Sequence, residues 1–266
     1  MEMERIGYWE GMPRRSMTLI GHTIKGFFLS RSIVLNVLFL LIVPGMAFFT
    51  LVQGPGGVEE YMWWLTFIEF GNFFYLQIFV LIYCVLYGAS MLNSEFEDRT
   101  MTYLIVRGSR RFEILIWKYI GTLISLWTVF LLSELITYTI MAMHGPAGSF
   151  SEHLSIFLAL VLATMIGIAL YLSLFTLIGL LFKHPLMISL FYAFLWEIVV
   201  VNIPYNVRRI SVMHYLRSVF TLDNTVKVHL ELEGITGVNF SVVFLVVLTI
   251  LFLLAGSAAI TRKDVL

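Results

Sequence analysis

Six apolar stretches dominate this sequence: Ser32–Val52, Phe73–Leu92, Ile116–Ala142, Leu154–Phe182, Leu186–Ile203 and Phe240–Ile260. The hydrocarbon core of a bilayer takes about 20 mainly apolar residues per helix, and each stretch is near or above that length. The fourth and fifth are separated only by Lys183-His184-Pro185. Together they run for roughly 50 residues, too long for one crossing. Pro185 suits the first turn of a new helix, so two helices with a tight turn are expected. Composition agrees. The chain is 59% apolar and 13% charged, with mean hydropathy +0.91, whereas soluble domains are about 45–50% apolar and about 25% charged. A soluble chain of this makeup would hold far too much apolar surface against water. The expected fold is an all-α integral membrane protein with six transmembrane helices, one domain over residues 1–266.

Charge sets an expected orientation. Arg5, Arg14, Arg15, Lys25 and Arg31 precede the first span. Arg99, Arg107, Arg110, Arg111 and Lys118 lie between the second span and the start of the third. Lys183 marks the four–five turn, and Arg262 and Lys263 follow the sixth span. The opposite side carries Arg208, Arg209, Arg217 and Lys227, all in its third loop at about 205–239. Thirteen positive residues against four place both termini in the cytoplasm by the positive-inside rule. The Met-Glu-Met-Glu start lacks the features of a signal peptide, so no cleavage is expected.

Several chemistries are excluded. Lys+Arg and Asp+Glu are equal at 17 each, so no nucleic-acid partner is expected. The single Cys84 allows neither a disulfide framework nor a cysteine metal site. The six His residues have no ligand spacing, so no metal is expected. No G-x-x-x-x-G-K-[ST], H-E-x-x-H or G-x-S-x-G stretch occurs, and no catalytic residue is assigned.

Three pieces between the spans are amphipathic. Met17–Leu29 sets Ile20, Ile24, Phe27 and Phe28 on one face, as an interfacial helix leading into the first span would. Tyr61–Phe70 holds Trp63 and Trp64, which suit an outer headgroup belt. Val207–Phe220 alternates Ile210, Met213, Leu216 and Phe220 with Arg208, Arg209 and Arg217, as an outer interfacial or re-entrant helix would.

The segment from Gly88 to Lys118 carries the most information. An apolar helix ends, and the acidic residues Glu95, Glu97 and Asp98 follow. The stretch Thr100–Val106 leads to the basic knot Arg107-Gly108-Ser109-Arg110-Arg111. Acids at the start and bases at the end suit a short helix whose charges complement its macrodipole. Here the chain resembles the permease subunits of ABC-type-2 transporters. Glu95, Glu97, Thr100, Leu104, Arg110 or Arg111, and Lys118 match that family's pattern after the second span. The ending with Arg262, Lys263 and Asp264 is similar too. Arg99 stands where the family often has glycine, and Gly108 where it often has proline. The resemblance implies a prokaryotic plasma-membrane exporter subunit, multi-pass, paired with a second copy or a homologous permease. Two copies of an ABC ATPase subunit would dock beneath and carry ATP and Mg. This chain would bind no cofactor. Segment 94–112 would be the cytoplasmic coupling helix, with Glu95, Glu97, Asp98, Arg99, Thr100, Arg110 and Arg111 facing the ATPase, and the Met17–Leu29 helix would be the N-terminal elbow.

Two carboxylates fall inside the spans, Glu134 in the third and Glu197 in the fifth. A charge at mid-membrane costs at least about 2.5–3.5 kcal/mol. The one Lys or Arg inside the spans as drawn is Lys118, at the start of the third and 16 residues from Glu134, too far along the helix to pair with it. Each is expected to be protonated, bonded to a neighbouring helix or facing a wet cavity, in the outer half of the bilayer. Glu134 has Thr137 and Tyr138 at helical spacing. Glu134, Tyr138 and Glu197 are candidates for a translocation path. The alternative is interhelical bonding that fixes packing. Asn36, Asn72 and Gln77 read as packing or interface residues. Ala159, Ala163 and Gly167 form a small-residue stripe, for packing within the chain or for a dimer seam. Other functions stay open: a permease-like subunit passing force to an outer partner, an ion-coupled carrier, and a membrane enzyme. Co-purification with an ATPase would separate the first of these and the transporter from the rest.

Overall fold

A computed structural model describes residues 17–29, 32–53, 62–91, 110–143, 149–200, 209–230 and 236–262. Among them the chain is entirely helical, without strands. Helix α1 covers 17–29. It is followed by α2 (Ser32–Leu40), α3 (Ile42–Gln53), α4 (Met62–Phe70), a π-helical segment π1 (Gly71–Phe79) and α5 (Val80–Ser90). Then come α6 (Arg111–Ala142), the single turn α7 (Ser149–Glu152), α8 (Leu154–Leu181), α9 (Pro185–Phe191) and a second π segment, π2 (Tyr192–Val200). The last three are α10 (Val212–Phe220), α11 (Asn224–His229) and α12 (Val238–Arg262).

Among the described residues, four runs are long and apolar enough to cross a membrane: Trp63–Ser90, Arg111–Ala142, Leu154–Leu181 and Val238–Thr261. The 28 residues from Leu154 to Leu181 span about 42 Å, against a core of about 30 Å. Two sequence expectations shift. Tyr61–Phe70 is not a separate interfacial piece, because α4, π1 and α5 form one continuous helical run from Trp63 to Ser90. The first and fifth stretches form shorter apolar helices, Asn36–Thr50 and Pro185–Glu197. In the first, Leu41 N–H bonds Val37 O and Gly45 N–H bonds Leu41 O, so the hydrogen-bond ladder passes through the turn between α2 and α3.

Helix α8 is the hub, packed against α5, α6, α9, α10, α12 and π1. It breaks where Phe182 turns extended, and Pro185 occupies the first turn of α9 as its fixed φ favours. The α5 and α8 helices run parallel and close. A Cβ at Gly179 would lie 2.7 Å from Ala89 O, and one at Gly88 would lie 2.9 Å from Phe175 Cβ. Ala159, Ala163 and Gly167 are all buried within the chain, so the small-residue stripe serves internal packing. Helix α1 seats Thr23 against Gly121 of α6 and the buried Phe27 against Tyr87. Helix α12 is peripheral: 11% of its apolar window is buried, against 50–61% for the other long runs.

The bundle has two ends, one at Trp63, Ala142 and Leu154, the other at Ser90, Arg111 and Leu181. Thr122 Oγ1 reaches Met91 Sδ at 3.6 Å, so α5 ends level with Thr122. Helix α6 begins eleven residues earlier and projects about 16 Å further.

Candidate functional site

The most polar place inside the bundle is built around α10. Ser211 caps this helix, its Oγ accepting from Met213 N–H at 3.2 Å, as serine caps do. The Glu197 carboxylate covers the same first turn. Its Oε2 accepts from Ser211 Oγ at 2.6 Å and Met213 N–H at 3.0 Å. Its Oε1 accepts from Tyr192 OH at 2.7 Å and Val212 N–H at 3.4 Å. Glu197 has no solvent exposure. A buried carboxylate is tolerated only when its lone pairs are occupied, and a helix N-terminus supplies both donors and a positive dipole end. Beside it stands the fully buried Tyr171 hydroxyl, which faces the Glu197 carboxylate without a hydrogen bond of good geometry.

Helix α10 runs from mid-depth toward the Trp63 end. Leu216 lies against Gly167 at the middle of α8, and Phe220 against Gly71 nearer that end. Val212, Met213, His214, Leu216, Ser218, Val219 and Phe220 are buried. The helix therefore does not lie on the surface as an interfacial helix would; it is embedded among α8, α12 and π1. Glu197 stands at its inner end, beside Tyr171 of α8. Arg217, which charge counting assigns to a loop, donates from Nη2 to Gln77 Oε1 at 2.9 Å. Gln77 is at the middle of the Trp63–Ser90 run, so a basic side chain does enter the bundle. Gln77 belongs to π1 and Glu197 to π2. The two π segments thus hold α10, one at its body and one at its start, and such segments recur at functional positions.

Glu134 is elsewhere. It is buried on α6 near Thr164 and Tyr75, with Oε1 making no hydrogen bond. Next to it, Tyr75 OH bonds both Ser133 Oγ and Thr137 Oγ1 at 2.8 Å, and Ser133 Oγ donates to Leu40 O. Tyr138 faces an aromatic cluster of Phe67, Phe150 and Phe157, and its hydroxyl donates to Phe150 O at 2.6 Å.

The family profile described as "Protein of unknown function (DUF2705)" matches residues 20–266. The chain belongs to that family. Comparison with curated proteins finds no match.

In this DUF2705 chain, the expected coupling residues Glu95, Glu97, Asp98, Arg99 and Thr100 lie outside the described residues. Arg110 and Arg111 open α6. The Arg110 N–H donates to Glu113 Oε2 at 3.2 Å, and Glu113 also complements the helix dipole. Asn36 and Gln77 are bonded in the interior, Asn36 to the Tyr87 hydroxyl and Gln77 to Arg217. Among the described residues no three His, Cys, Asp or Glu side chains group as a metal site. Sequence reading missed Tyr192, Ser211, Tyr171 and the Gln77–Arg217 pair. The available signal was the Ser-Val-Met start after Ile210, a serine cap ahead of an amphipathic run.

Proposed function

We propose that this chain is the membrane-spanning subunit of an ABC-type-2 exporter. It crosses a prokaryotic plasma membrane six times with both termini cytoplasmic, and moves cargo using ATP hydrolysed on two copies of a separate ATPase subunit. The Arg111 end is then cytoplasmic. A second permease copy or a homologue completes the path. The carrying observation is the offset between α5, which ends level with Thr122, and α6, which begins about 16 Å beyond it. The acidic-to-basic connector 94–112 joins these two ends. A mixed-charge segment that leads in sequence into a projecting helix suits docking onto a moving partner. Helix α1 packs on α6 at Gly121, next to this projection, where an elbow would lie. Four long runs, α2 with α3, and α9 with π2 continued outward by α10 make up six crossings, the fifth in two pieces.

The test is charge reversal of Glu97→Lys with Arg99→Glu in the full chain. Removing a desolvated interfacial charge costs about 2–5 kcal/mol of partner binding. Pull-down of a P-loop ATPase should therefore fall at least tenfold, roughly, and ATPase activity of the complex should lose its coupling to transport. Insertion and thermal stability of the chain should hold. Wild-type pull-down and activity in the double variant would refute the coupling assignment.

A further inference from the structure

We propose that α10 is a plug seated in the Trp63-end half of the bundle, and that the Glu197 carboxylate is the latch holding it shut. Four features converge. The first is the location of the helix start. The first turn of α10 is buried from Ser211 to Met213, and Glu197 together with the Ser211 cap supplies its partners. Without the carboxylate the Val212 N–H and the Ser211 hydroxyl would lose their acceptor, and Met213 N–H would keep only Ser211 Oγ.

The second feature is how α10 rests on its neighbours. Where it meets glycines it does so with side-chain tips, Leu216 on Gly167 and Phe220 on Gly71, and elsewhere it is held by side chains alone, Tyr215 on Phe244, Arg217 on Gln77 and His214 on Thr236. The permanent seam of the bundle is different: at Gly179 the α8 helix meets the backbone carbonyl of Ala89. Tips on smooth surfaces separate without unravelling a backbone contact.

The third is that polar bonds tie both ends of the segment. Glu197 holds the inner end. Beyond the outer end, Ser155 Oγ donates to Asp223 Oδ2 at 2.5 Å, and His229 Nε2 lies 3.5 Å from Glu69 Oε1. These ties sit at the rim and exchange readily with water. The fourth is Tyr171. Its buried hydroxyl stands beside Glu197 without a hydrogen bond of good geometry. Released from α10, the carboxylate has a second donor waiting, so the latch has two resting places. With α10 withdrawn, the vacated space is bordered by Gln77, Tyr171, Tyr192 and Glu197, a polar lining at mid-depth.

The test needs no ATPase and no known cargo. The full chain in lipid nanodiscs carries Cys84→Ala and Ser218→Cys, since Ser218 is buried on α10 and differs from cysteine by one atom. The readout is the labelling rate with fluorescein maleimide. With Glu197 present, Cys at 218 should label slowly. Glu197→Gln leaves one acceptor where there were two, and should speed labelling about tenfold. Tyr192→Phe removes a well-formed donor and should speed it several-fold, while Tyr171→Phe removes a hydroxyl with no well-formed bond to the carboxylate and should speed it clearly less. A second reporter, Ser125→Cys on α6, should stay protected throughout. If Glu197→Gln exposes that reporter as well, the bundle itself has opened and Tyr192→Phe decides. Unchanged labelling at 218 in the deciding variant overturns the latch. So does a rise in Tyr171→Phe equal to that in Tyr192→Phe. Failure of the ATPase pull-down would remove the exporter reading alone.

Discussion

Gly179 and Gly45 are both glycines in apolar helices, but their surroundings differ. A methyl at Gly179 meets Ala89 O at 2.7 Å, whereas one at Gly45 meets nothing within 4 Å. Gly179→Ala should destabilise the chain by about 1–3 kcal/mol, because a backbone carbonyl cannot rotate away. Gly45→Ala should be neutral or slightly stabilising, by up to about 1 kcal/mol. Thermal unfolding in detergent compares the two, and equal melting points would contradict the close α5–α8 contact. At this scale the sequence shows which residues are unusual without showing their partners. Glu134 and Glu197 both stand out as acids in apolar runs. One has four donors and the other has an oxygen with none. The donors come from residues up to 16 positions away in sequence, beyond the reach of helical spacing.

Short elements at the Trp63 end depend on capping. Asp223 caps α11, its Oδ1 accepting from Thr225 N–H at 2.8 Å while Oδ2 accepts from Ser155. Burial alone would raise its pKa, but hydrogen bonds from Ser155 and Thr225 and the proximity of His153 outweigh it, and the net shift is downward. A depressed carboxylate contributes stability that is fully present above its unfolded pKa of about 3.9 and is lost as pH falls through the lower folded value. Asp223→Asn keeps a cap but removes the charge. Wild type should therefore melt above this variant by the same margin from pH 8 to pH 5, with the gap closing only below about pH 4. Melting curves at pH 7, 5 and 3.5 measure it, and a gap that closes near pH 6 would rule out Asp223 as its source. The amphipathic pattern of 207–220 and its serine cap were legible beforehand. That this helix is swallowed by the bundle was not, because an amphipathic face against a headgroup layer and one against a polar interior share the same periodicity.

The whole chain carries one further expectation, its orientation. With six crossings, a reporter fused after Leu266 should read as cytoplasmic and one inserted at Gly148 as external. An external C-terminus would defeat both the orientation and the exporter reading. The membrane class, the helical content and the positions of three of the four long runs were already determined by the sequence, whereas the run Trp63–Ser90 was drawn too short. Hydrophobic length is a local property, and a bilayer admits few structures that satisfy their own backbones. Tertiary structure alone decided that α10 is embedded among α8, α12 and π1, that Arg217 pairs with Gln77 inside the bundle, and that Glu197 covers the first turn of α10. Each of these depends on where distant helices come to lie side by side. A buried charge or helix end is tolerable only if a partner is supplied across that contact, and the identity of that partner is written in no single stretch of the chain.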